Sequence, residues 1–318
     1  MKKKLFSIVS LLTLLGLLLA ACGSTQTESG EAGSLKILAS TTFLADITQN
    51  VVGDRAQVES LLPVGADPHA YQESPTDVAK IAESNVLILN GVEYEHFIES
   101  LLENAGGERL VIEATAGLEP HAMEEHEGDE HAEEEGEEEH GHEAGDPHMW
   151  LDPNLVITYV ENIRDGLSEA DPDGAETYTA NADAYIAQLQ ELDAFIKEQV
   201  DSVPAERRLL VTNHEAMGYF AERYGFEVVD TIIPSLSTEA SASAQEVAAA
   251  IEAIKATGAP AIFLGEVENA DLANQIAAET GVKVVDSLYL ETLTDGEPAA
   301  TYIEMMKYNV TQIVEGLK

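Results

Sequence analysis

Cysteine is almost absent from this chain, one in 318 residues. No disulfide can therefore form within it, whichever compartment it works in. Basic residues are scarce too: 16 Lys and Arg stand against 59 Asp and Glu, for a formal charge of -43. A body this acidic argues against nucleic acid and anionic lipid as partners, and for cations. The sequence also lacks a His-Glu-x-x-His segment, the signature of a zinc hydrolase.

What the chain does hold begins with an apolar run. Lys2, Lys3 and Lys4 precede the nearly unbroken apolar residues 5–20, and small residues then lead to the lone cysteine in Leu19-Ala20-Ala21-Cys22. The run is short for a bilayer span and is followed by a polar segment, so residues 1–21 read as a signal peptide. The segment before Cys22 resembles a bacterial lipobox. That resemblance implies cleavage there, a diacylglycerol on Cys22, and an extracytoplasmic protein anchored to the bacterial membrane. Without residues 1–21, which hold three lysines and no acid, the charge stands near -46. Residues 22–34 are small and polar and read as a flexible tether.

The nine histidines are unevenly placed. Asp67-Pro68-His69 and Asp146-Pro147-His148 flank a run that contains His121, His126, His131, His140 and His142. Imidazole is the commonest side-chain metal ligand, so this concentration points to a metal such as zinc. Residues 119–148 also hold 14 acids and no Lys or Arg. Two readings of the run are compatible. It is a solvated, disordered charge run, and it binds extra ions weakly near a tighter site.

Short apolar segments at residues 35–39, 57–62, 85–89 and 109–112 alternate with helical patterns. They are followed later by 208–212, 227–231, 261–264 and 282–286. This rhythm predicts two α/β lobes, each with a four-stranded, mostly parallel sheet and covering helices. The N-terminal lobe spans 35–150, with the acidic loop at 119–146, and the C-terminal lobe spans 205–318. Residues 151–204 form linking helices. Asp152-Pro153 starts the first, and Tyr178, Ala182, Tyr185, Leu189, Leu192, Ile196 and Val200 mark the second, from about 175 to 203. That helix would be about 40 Å long. Ligands of open α/β sheets sit outside the carboxyl ends of strands. His69, His214 and Asp286 lie at or soon after such ends, and His148 precedes the helix start at Asp152. Pro68 and Pro147 stiffen the backbone before each histidine.

Four segments carry a family resemblance. Pro63-Val64-Gly65-Ala66-Asp67-Pro68-His69-Ala70-Tyr71, Asp146-Pro147-His148-Met149-Trp150-Leu151-Asp152-Pro153, His214-Glu215-Ala216-Met217-Gly218-Tyr219-Phe220 and Asp286-Ser287-Leu288-Tyr289 resemble the solute-binding lipoproteins of zinc/manganese ABC importers. The resemblance implies two lobes joined by one rigid helix, with the metal between them. It places the four ligands on His69, His148, His214 and Asp286. It also implies an ABC permease as partner, no chemical transformation, and a monomer. Gln72-Glu73 departs from the family, which usually has Glu-Pro there.

Three imidazoles and a carboxylate suit Zn²⁺, whereas Mn²⁺ prefers more oxygen. In the family, manganese binders typically place a carboxylate where this chain has His214, and the acidic loop accompanies zinc binders. Alternatives remain open: a manganese-binding member of the same family, a surface adhesin with a structural metal, and entry of Glu266 or Glu215 into the site. His96, in a helical pattern, is expected at the surface.

Overall fold

In a computed structural model, residues 35–72, 74–122 and 145–318 are described. The four segments of high apolar content in the first half become β1 (Ile37–Ala39), β2 (Val58–Ser60), β3 (Val86–Leu89) and β4 (Leu110–Glu113). They pair in the order β2-β1-β3-β4, all parallel. Helices α1 (Thr42–Val52), α2 (Pro75–Glu83) and α3 (Glu99–Ala105) connect them. In the second half β5 (Leu209–Thr212), β6 (Glu227–Thr231), β7 (Ala261–Gly265) and β8 (Lys283–Leu288) pair in the equivalent order β6-β5-β7-β8, again parallel. Burial explains the composition of the strands. The inner strands β3 and β7 are buried at every residue and read as unbroken apolar runs, while edge strand β4 is exposed at alternate positions.

Helix α4 (Pro153–Ala170) begins where Asp152 accepts the amide of Asn154 and Pro153 takes the first turn. Helix α5 (Ala175–Asp201) buries the whole stripe Tyr178, Ala182, Tyr185, Leu189, Leu192, Ile196 and Val200. Helices α6 (Gly218–Tyr224), α7 (Ala244–Thr257) and α8 (Asp271–Thr280) serve the second sheet, and α9 (Tyr302–Leu317) closes the chain. Among the described residues no helix is long and apolar enough to cross a membrane.

The two halves share a core. Ile37, Ala39, Val86 and Ile88 from the first sheet and Leu210, Ala261 and Phe263 from the second join one hydrophobic cluster with the stripes of α4, α5 and α9. Because strand side chains alternate, Leu38, Leu87 and Leu89 face the opposite way, into a separate cluster with Leu61, Ile81 and Ile98. Val211, Ile262 and Leu264 do the same in the second half. Leu35–Lys318 accordingly forms one compact unit. An aromatic pin crosses it. Trp150 stacks on Phe43 at 4.6 Å and donates to the Leu290 carbonyl at 2.8 Å, and the Tyr302 hydroxyl donates to the Trp150 carbonyl at 2.6 Å.

Helix α4 lies so close to β4 that a Cβ on Gly166 would stand 2.3 Å from Ile112 Cδ1 and 2.5 Å from its Cγ1. Alanine in a helix interior ordinarily gains about 1 kcal/mol over glycine. Overpacking costs about 1–3 kcal/mol. Gly166→Ala is therefore expected to lower the thermal midpoint, against helix propensity. A raised midpoint in a calorimetric scan would show that Ile112 gives way freely.

Candidate metal centre

Each histidine of the candidate site arrives on a short, stiff connection. His69 follows β2 through the turn at Pro63-Val64-Gly65. Its amide donates to Asp67 Oδ1 at 2.9 Å, while Asp67 Oδ2 accepts from Thr238 Oγ1 at 2.6 Å across to the second half. His148 repeats the local device: its amide donates to Asp146 Oδ1 at 2.9 Å, and Nδ1 lies 2.7 Å from the same oxygen. The proline between each Asp and His fixes the turn that makes this bond. His214 lies two residues beyond β5, and its Nδ1 bonds the Glu268 carboxylate, which also accepts the Gly265 amide.

The fourth member is Glu291. Its Oε1 lies 3.5 Å from His214 Nε2, 3.6 Å from His148 Nε2 and 3.8 Å from His69 Nε2. These separations are too long for hydrogen bonds. All four residues are buried, and their ligating atoms lie within 4.8 Å of one another. None of the four converging atoms has a hydrogen-bond partner. Buried polar atoms are normally paired, so four unpaired ones facing a common point describe a cation-binding arrangement. Among the described residues no other group of three or more potential ligands meets this way.

Asp286 is not in the group. It is an exposed residue within β8, which continues to Leu288, and a register shift opposite Phe263 and Gly265 accompanies the extra length. The strand end expected at Asp286 thus falls two residues later, and the first acid beyond it is Glu291. That acid, in Tyr289-Leu290-Glu291, is the signal sequence reasoning missed. Glu266 does not join the group either. It accepts the amides of Leu290 at 2.8 Å, Glu291 at 3.3 Å and Thr292 at 2.8 Å, and so shapes the turn that carries Glu291. Glu215 is half-buried and outside the group, and His96 is exposed. Glu268, the partner of His214, was also not anticipated from sequence.

Charge follows geometry. Burial lowers the pKa of His69, and Glu291 only partly opposes it. Burial works against protonation of His148 as well, but the carboxylates of Asp146 and Glu291 together outweigh it and the pKa rises. At His214 the same opposition is overcome by Glu268 and Glu291, which push the pKa up to about 10. Burial would raise the Glu291 pKa, yet the three imidazoles hold it well below the carboxylate range. The carboxylates of Glu291, Asp146 and Glu268 therefore face positive charge at the centre.

Of the acidic loop, residues 119–122 and 145–146 are described, His121 and Asp146 among them. Tyr219 clamps both: its hydroxyl accepts the His121 amide at 2.9 Å and donates to the Asp146 carbonyl at 2.7 Å. The His121 ring stacks on Tyr219 at 3.9 Å and its Nε2 lies 2.8 Å from Glu222. His121 thus sits at the root of the loop, outside the four-membered group. His126, His131, His140, His142 and Cys22 lie outside the described residues.

Glu291→Gln is expected to weaken tight metal binding by more than the 10–100-fold typical of a lost outer-shell partner. Asp286→Asn is expected to leave it within about twofold, as for a surface change. Calorimetric titration of both variants decides between the two acids, and the opposite ranking would restore Asp286 as the ligand.

Residues 37–316 match the family model described as zinc-uptake complex component A periplasmic. The manganese-binding lipoprotein MntA of Halalkalibacterium halodurans is 35% identical over 319 residues, covering 100% of this chain and 99% of its own. The iron-binding protein YfeA of Yersinia pestis is 32% identical over 313 residues, covering 98% and 94%. Among solved structures, the periplasmic zinc binding protein TroA from Treponema pallidum superposes with a TM-score of 0.77 at 27% identity, covering 90% of this chain and 99% of that one. The chain therefore belongs to the family of zinc-uptake complex component A, binding proteins of metal ABC importers rather than enzymes.

Proposed function

We propose that this protein captures Zn²⁺ outside the cytoplasm, at His69, His148, His214 and Glu291, and delivers it to an ABC permease. The observation that carries the reading is the donor set, three imidazole nitrogens and one carboxylate oxygen, all buried and unpaired. Zinc accepts four such ligands, whereas manganese favours more oxygens. A manganese cargo is the second reading, since MntA, at 35% identity, is named for that metal. Lipidation of Cys22 would hold the protein at the membrane, and a diacyl anchor does so stably. The loop histidines His126, His131, His140 and His142 would gather further ions weakly.

Proton release tests the cargo site. His214, with its pKa pushed up to about 10, carries a proton in the metal-free protein near neutral pH, and the pKa of His148 is raised as well. Any proton on Nε2 of either residue must leave before an ion binds. A raised pKa means the proton is held at low pH, so affinity falls on acidification and keeps rising as the pH climbs toward about 10. Calorimetry in buffers of different ionisation enthalpy should count about one to two protons released per zinc. A binding enthalpy that does not depend on the buffer would refute the assignment.

Deletion of residues 123–142 should leave one tight zinc per chain and remove most of the weak additional binding. Loss of the tight equivalent would mean that the loop supplies a primary ligand. Competition of zinc and manganese against a chromogenic chelator, with protein purified without added metal, separates the two cargoes.

A further inference from the structure

The two oxygens of Glu291 have different surroundings. Oε1 is the unpaired atom facing the three Nε2 atoms. Oε2 accepts a hydrogen bond from the Tyr94 hydroxyl at 2.8 Å, in a buried contact between residues 197 positions apart. A phenol hydroxyl in this position donates its only proton to the carboxylate. Neither partner is free to swing. The Glu291 backbone is held by Glu266 through three consecutive amides.

Tyr94 is 1% exposed, and its ring packs against Trp150 at 4.9 Å and edge-on to His69 at 6.0 Å. It follows Val92 and Glu93, which adopt φ of 56° and 55°. A left-handed conformation at a β-branched residue is strained and persists only where its surroundings enforce it. They do so here. The buried Glu95 carboxylate accepts the amides of Asn90 at 2.6 Å and Gly91 at 3.1 Å and the hydroxyl of Ser40 at 2.7 Å. Strain and buried bonds together serve to place one hydroxyl.

We propose that Tyr94 is a specificity-determining residue: by occupying Oε2 it confines Glu291 to one oxygen toward the ion and holds the site at four ligands. Four ligands suit zinc, and a fifth from a bidentate carboxylate would move the site toward the larger oxygen complement that manganese takes. This inference rests on the reading that the cargo binds at these four residues.

Two measurements test it. X-ray absorption of the zinc-loaded parent protein should show four light-atom ligands, with a single carboxylate oxygen. Five ligands with a bidentate carboxylate would overturn the proposal without any variant having to fold. Tyr94→Phe keeps the ring and removes only the hydroxyl. In competition titrations its preference for zinc over manganese should fall by about tenfold, the scale of one hydrogen bond to a charged group. A role in folding alone would lower the melting temperature and both affinities together, and an unchanged ratio would overturn the proposal. Failure of the underlying reading looks different: the parent would then bind neither ion tightly, or Glu291→Gln would bind like the parent.

Discussion

Four converging polar atoms, three imidazole nitrogens and one carboxylate oxygen, are buried without hydrogen-bond partners, and the bonds around them hold them so. Each unpaired buried polar atom costs about 1–3 kcal/mol. They persist because every other polar side-chain atom of three of these residues is tied down. Asp146 fixes His148, Glu268 fixes His214, and Tyr94 fixes Glu291. His69 is the exception, since its Nδ1 also lacks a partner. Its position is held instead through its backbone, by Asp67 and through Asp67 by Thr238. A divalent cation supplies what all four atoms lack, and offsets the charge of three surrounding carboxylates.

The repeated sheet order explains why the four residues meet. In both halves the first strand of the unit is flanked by the second and third, so the loops after equivalent strands emerge at equivalent edges. In each half a carboxylate bonds successive backbone amides of a loop at the strand ends: the buried Glu95 holds the turn after β3, and the half-buried Glu266, just after β7, holds the turn after β8. Burial pushes the pKa of each up to about 7 against those bonds. The same solution to positioning a loop is thus used on both sides of the site.

Most of this was legible in the chain. All eight strands fell within two residues of their apolar runs, because central strands buried on both faces leave an unmistakable composition. The long helix was readable from a seven-residue stripe in which every member proved buried. The two Asp-Pro-His segments marked two members of the buried group, because a local turn needs those residues in that order. Asp286 misled because a strand end is set by pairing with a neighbour, and the bulge against β7 lengthened β8 past it. Tyr94 and Glu268 left no local trace: their roles depend on partners 197 and 54 positions away.

The clamp at Tyr219 separates two evolutionary problems. Both roots of the acidic segment, His121 and Asp146, are held by one hydroxyl, and the Asp146 amide also donates to the His121 carbonyl at 3.0 Å. The chain between them can therefore lengthen, shorten or change composition without moving His148, because its ends are already closed. Doubling such a segment adds only about 0.6 kcal/mol of closure entropy. Sequence change on the outer segment is thus uncoupled from the inner group, which keeps its geometry.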